Sequence, residues 1–152
     1  MMLRWAALAG VVLVLGASVT REAGAQGFDP QPGQRAAGTG LGQNYPNPFG
    51  NDTRIQFTIG DYPTCTDGGR LHRVSLRIFN LLSQVVSIPV LESGGSSAGG
   101  ESLENLMVSC GQYTAYWDGA DLNSSQAAPS GVYLYRLEVE GRPFVKKMFK
   151  SR

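Results

Sequence analysis

This chain of 152 residues is poor in histidine, in cysteine and in any surplus of charge. It carries 13 Lys+Arg against 12 Asp+Glu, and 11 of each once Arg4, Arg21 and Glu22 of the N-terminal 25 residues are set aside. A neutral chain has no basic surplus with which to neutralise phosphates, which excludes a general electrostatic binder of nucleic acid. The only histidine is His72, beside Arg70 and Arg73, with no serine or cysteine forming a catalytic motif around it. It reads as a solvated residue at the start of a strand. Two cysteines and one histidine fall short of the four ligands of a zinc site. Asp118, Asp121 and Asn123 could offer oxygens to calcium, but six to eight are needed and the EF-type spacing is absent. The sequence thus points to no cofactor, metal, small-molecule substrate or catalytic set. No segment shows a convincing 3.6-residue apolar period, so helices are not expected either.

The longest apolar run is Trp5 to Ala17, short of the roughly 20 residues a spanning helix requires. Arg4 precedes it and Ala23-Gly-Ala25 follows, a small-x-small cleavage pattern. Residues 1–25 therefore read as a secretory signal peptide with Gln26 as the mature N-terminus. An uncleaved anchor is the alternative. No cysteine follows the run where a lipoprotein would be modified. Gly27 to Gly42 is rich in Gly, Pro and Gln and has too little apolar mass to offset its ordering entropy. The expectation is a flexible leader over 26–42 and one domain over 43–152. In an exported chain, Cys65 and Cys110 read as a disulfide, worth roughly 4 kcal/mol on chain entropy for so long a loop. Two buried thiols are the alternative.

From residue 53 onward, apolar residues recur with period two, the strand signature. Thr53 to Ile59 places Ile55, Phe57 and Ile59 on one face. Arg73 to Phe79 does the same with Val74, Leu76 and Ile78. Val85 to Leu91 reads as a third strand, with Pro89 marking an edge or bulge. Gln112 to Trp117 is a fourth. Val132 to Val139 and Phe144 to Phe149 form a closing hairpin through Glu140-Gly-Arg142. Asp61 to Leu71 and Glu92 to Ser102 read as loop insertions, and Leu103 to Val108 could form one short helical turn. About seven short strands separated by turn signals predict an all-β antiparallel sandwich. Trp117 is expected between the sheets, with Asp118 and Gly119 making a turn.

Several segments resemble a known family. They are Gln43-Asn-Tyr-Pro-Asn-Pro-Phe49, Val74-Ser-Leu-Arg-Ile-Phe-Asn-Leu-Leu82, Tyr113-Thr-Ala-Tyr-Trp-Asp-Gly119, Pro129-Ser-Gly-Val-Tyr-Leu-Tyr135 and Lys146-Lys-Met148. Over residues 43–152 they are similar to the immunoglobulin-like domain of the flagellar hook-capping protein and to the related C-terminal sorting domain of type IX (Por) secretion cargo. Ser83 stands where that family usually has a turn glycine, and the two cysteine-bearing insertions are extra. The resemblance implies an immunoglobulin-like (fibronectin III-like) sandwich. It implies structural roles for Tyr45, Pro46, Pro48 and Phe49. It also implies export determinants at Gly131, Tyr133, Lys146, Lys147 and Lys150, which could equally be plain strand structure with edge-protecting lysines.

The expected function is that of a secreted, non-enzymatic interaction or assembly module at the cell envelope or outside the cell. Its partner would be another protein or a second copy. With only the short leader before the domain, the module itself is expected to be the product. A type IX sorting domain read by outer-membrane secretion machinery is the alternative, and a hook-cap-related structural domain the third.

Overall fold

The computed structural model describes residues 38–92 and 100–152. The expected signal peptide, most of the expected leader and the centre of the second insertion lie outside the described residues. Nine strands follow in order: β1 (Gly40–Tyr45), β2 (Thr53–Ile59), β3 (His72–Phe79), β4 (Val85–Ser87), β5 (Val90–Leu91), β6 (Leu106–Val108), β7 (Gly111–Trp117), β8 (Gly131–Val139) and β9 (Arg142–Lys150). One sheet has the order β1-β2-β7-β5. The other runs β4-β3-β8-β9, with β6 also paired to β3. All strand pairings are antiparallel, and the chain is a two-sheet, all-β sandwich.

The period-two pattern decides which faces meet. Ile55, Phe57 and Ile59 of β2 are buried, as are Val74, Leu76 and Ile78 of β3 and Tyr133, Tyr135, Leu137 and Val139 of β8. These inward rows interdigitate between the sheets, the usual source of sandwich stability. Trp117 is 1% exposed. Its ring meets Phe49 edge-on at 5.3 Å and Tyr133 edge-on at 5.5 Å, and its indole N–H donates to the Ala120 carbonyl at 2.9 Å. That bond satisfies the only polar atom the large ring buries.

Three local readings change. Val85 to Leu91 is not one strand: Val85–Ser87 pairs with β3, whereas Val90–Leu91 pairs with β7 in the other sheet. The chain changes sheets at Ile88-Pro89, where proline has no N–H to give a ladder. Leu103 to Val108 forms no helical turn. Leu103 is fully buried, and its carbonyl accepts the Leu76 N–H at 2.8 Å. Leu106–Val108 then runs along β3 as β6. Finally, β1 begins at Gly40, so the last three residues of the expected leader belong to the sheet. The closing hairpin turns on two residues, Glu140 (φ 50°) and Gly141 (φ 80°). Both have the positive φ of a tight hairpin turn. Glu140 is held there by two bonds to Arg73: its N–H donates to the Arg73 carbonyl at 3.0 Å, and its carboxylate accepts the Arg73 N–H at 2.7 Å.

Candidate interaction edge

The last strand, β9, lies at the rim of its sheet. Val139 and Arg142 flank a two-residue turn and are paired directly. In an antiparallel ladder, alternate pairs exchange backbone hydrogen bonds. Arg142, Phe144, Lys146, Met148 and Lys150 therefore bond to β8. Pro143, Val145, Lys147 and Phe149 direct their backbone groups away from it.

The far half of that outer side is occupied. The Phe149 N–H donates to the Asn47 side-chain oxygen at 3.0 Å, and the Phe149 carbonyl accepts the Phe49 N–H at 3.0 Å. The Ser151 N–H returns to the Phe49 carbonyl at 2.8 Å, and the Gln43 amide donates to the Lys147 carbonyl at 3.1 Å. The segment from Gln43 to Phe49 is thus a clasp on the end of β9. Phe49 anchors it, its ring 1% exposed beneath Trp117.

The near half is open. Among the described residues, no group bonds to the Val145 N–H and C=O, the Lys147 N–H or the Pro143 carbonyl. Pro143 has no N–H, which limits the free edge to a few residues. Lys146 lies opposite Tyr135 and Lys147 opposite Leu134, so the two lysines flank the free edge from opposite faces of the sheet. Both are exposed.

The five residues singled out as export determinants separate on this geometry. Tyr133 is buried against Trp117, and its hydroxyl donates to the Pro129 carbonyl at 2.6 Å. Burial, then the charge of Asp121, pushes its pKa up. Lys150 donates to the Gly50 carbonyl at 2.5 Å and lies 5.6 Å over the Phe49 ring. Gly131 opens β8 in open space, with nothing within 4 Å of where a Cβ would stand. Tyr133 and Lys150 thus serve the packing, and only Lys146 and Lys147 are presented. Arg142 adds a third exposed cation on the same strand.

Of the remaining residues, Tyr45 is 79% exposed. Pro46 and Pro48 follow it, and the Pro46 carbonyl accepts from the Asn44 amide and the Thr53 hydroxyl, each at 3.0 Å. The Asp118 carboxylate accepts the Ala120 N–H at 3.0 Å, an Asx turn where a turn was expected. Gly119 has φ 73°, and a Cβ on it would stand 2.1 Å from the Asn51 carbonyl oxygen, so no other residue fits. The Asp121 carboxylate accepts the Asn123 N–H at 2.8 Å. Among the described residues, no three His, Cys, Asp or Glu side chains gather to hold a metal ion. His72 begins β3 opposite Val108. Cys65 and Cys110 are bonded to each other and tie the Asp61–Leu71 loop to the start of β7.

The sequence did not reveal the clasp itself. Its Asn-Pro-Phe residues were conspicuous, but their partners stand at the opposite end of the domain. What the fold defines is a two-sheet β-sandwich whose β9 edge is partly open and basic. The chain matches no family model, no curated protein and no solved structure.

Proposed function

We propose that this chain is an exported, non-enzymatic, immunoglobulin-like module that works in interaction or assembly at the cell envelope or outside the cell. It docks through the free edge of β9. The observation that carries this reading is the split of β9 into a clasped half and an open half flanked by Lys146 and Lys147. An open edge is a template for an added strand, whose main chain supplies affinity and whose side chains supply specificity. Two copies pairing edge to edge would gather four lysines on one short ladder, and like charge brought together in this way is unfavourable. The edge therefore suits an acidic extended segment of another protein. Export is supported by the signal-like first 25 residues and by the disulfide, a bond that persists in oxidising compartments.

The second reading is a type IX sorting domain. What favours it is that the presented lysines fall in the last strand, where the resembled family carries its export determinants. One experiment separates the two. The full chain and its Lys146→Ala/Lys147→Ala variant are expressed in the source cell. The cytoplasm, periplasm and medium are then fractionated, and each product is weighed by intact mass. The interaction reading expects both proteins to leave the cytoplasm equally, each starting at Gln26 and keeping its C-terminal strand. Periplasmic retention of the variant alone, or loss of the sandwich from the exported product, would establish sorting instead.

A further inference from the structure

The outer face of the four-stranded sheet carries a groove of about 570 Å³. That is within the size range of small-ligand sites. Cross-strand register builds its floor: Gly40 lies opposite Thr58, Thr58 opposite Gln112, and Gln56 is two residues along on the same face. Tyr62 and Pro63 form a wall. Glycine keeps the floor bare, and at Gly42 a Cβ would come 2.8 Å from the Gln56 carbonyl oxygen.

The groove is preformed. The Thr58 hydroxyl donates to the Gly38 carbonyl at 2.9 Å, and the Gly60 N–H donates to the Thr39 hydroxyl at 3.0 Å, fixing the start of β1 to the end of β2. The loop bearing Tyr62 and Pro63 is held on its far side by the Asp61 carboxylate. This accepts the Thr66 N–H at 3.2 Å and the hydroxyls of Thr64 and Thr66. The Cys65–Cys110 bond anchors the same loop to the chain entering β7. A rigid wall lowers the ordering cost of binding.

The chemistry of the lining selects among ligands. Among the described residues, no lining residue is charged. An anion would find no cation there, and a cation no carboxylate. The side-chain amides of Gln56 and Gln112 are exposed and make no hydrogen bond among the described residues. Each offers donors and acceptors side by side. A purely apolar ligand would cover these amides without pairing them, at a cost. A proline-rich peptide wants an aromatic-lined groove and would find one accessible ring, Tyr62, since the Phe57 ring is buried against Tyr113. A sugar meets each condition: its hydroxyls both donate and accept, and the C–H face of its ring packs on an aromatic side chain. We propose that this groove binds a neutral saccharide chain, with Gln56 and Gln112 pairing its hydroxyls and Tyr62 stacking on a sugar ring. The site shares no lining residue with the β9 edge.

The test is calorimetric titration of the exported, disulfide-bonded protein with soluble neutral hexasaccharides of glucose and of N-acetylglucosamine, in several linkages. Submillimolar binding of at least one is expected. Gln112→Ala and Gly40→Val should each weaken it about tenfold or more, while Arg136→Ala on the exposed face of β8 leaves it unchanged. Tyr62→Ala should also weaken binding. Because that change could loosen the loop, Gln112→Ala, a surface change outside the disulfide loop, is the deciding variant, and its melting curve should match that of the parent. No binding of any neutral hexasaccharide at millimolar concentration would overturn the proposal. So would binding that Gln112→Ala and Gly40→Val both leave intact.

Discussion

Tyr135 in β8 reaches across the sandwich to Asn44 in β1. Its hydroxyl accepts the Asn44 N–H at 3.1 Å and donates to the Gly42 carbonyl at 2.8 Å. These two backbone groups sit where the β1–β2 register shifts between Leu41 and Asn44. A single buried hydroxyl thus satisfies both groups at the irregularity and ties one sheet to the other. Tyr135→Phe removes the hydroxyl and leaves a donor and an acceptor unpaired. An expected cost of about 1–3 kcal/mol follows from the desolvation of groups left without partners. Urea unfolding of the two proteins should show a lower midpoint at unchanged slope.

The same hydroxyl makes stability depend on alkaline pH. Burial pushes the Tyr135 pKa up to about 12, against the opposing pull of the Asn44 hydrogen bond. The folded state thus keeps the proton that the unfolded chain releases near pH 10. Stability from this group is fully present below pH 10 and is lost as pH rises toward 12. The upper bound of that loss is roughly 2–3 kcal/mol. Unfolding free energy measured from pH 8 to 12 should fall over this window, and Tyr135→Phe should flatten the fall.

At the acid end the sign reverses. Asp61 is held below its ordinary pKa, first by the Thr66 hydroxyl and then by the Thr66 N–H. Its bonds to the loop are intact above pH 4 and are lost as pH falls through the lowered value. The Thr66 amide resonance should therefore titrate below pH 4. Asp61→Asn should abolish that titration.

Phe49 couples the clasp to the core. Phe49→Ala empties a fully buried site beside Trp117 and should cost about 3–5 kcal/mol. Because the Phe49 backbone also pairs with β9, the amide protons of Phe149 and Ser151 should exchange faster in this variant than those of β3. Uniform acceleration across both sheets would show that the clasp has no local role.

Much of this architecture was legible in the sequence, because β2, β3, β7 and β8 each bury one face, and a single buried face writes its alternation directly into the residues. Glu140-Gly141 announced the hairpin for the same local reason. Other features depend on distant partners. Nothing within Val85 to Leu91 says that its two halves join different sheets; β3 and β7 decide that. Gly40-Leu-Gly42 has poor strand propensity and is a strand only because β2 and Tyr135 bind it. Among the candidate export residues, sequence could not separate Lys150 from Lys146 and Lys147. Their difference lies in whether Phe49 and Gly50, a hundred residues earlier, fold back against them.

The central claim is that the free edge of β9 takes an acidic strand from another protein. The most direct measurement places a photo-crosslinking amino acid at Val145, whose backbone faces off the edge, in the full chain in its source cell. The account predicts one discrete heteromeric adduct, lost when Lys146→Glu and Lys147→Glu are added while the melting temperature of the domain stays unchanged. No adduct, an adduct of the chain with itself, or an adduct indifferent to charge reversal would contradict it.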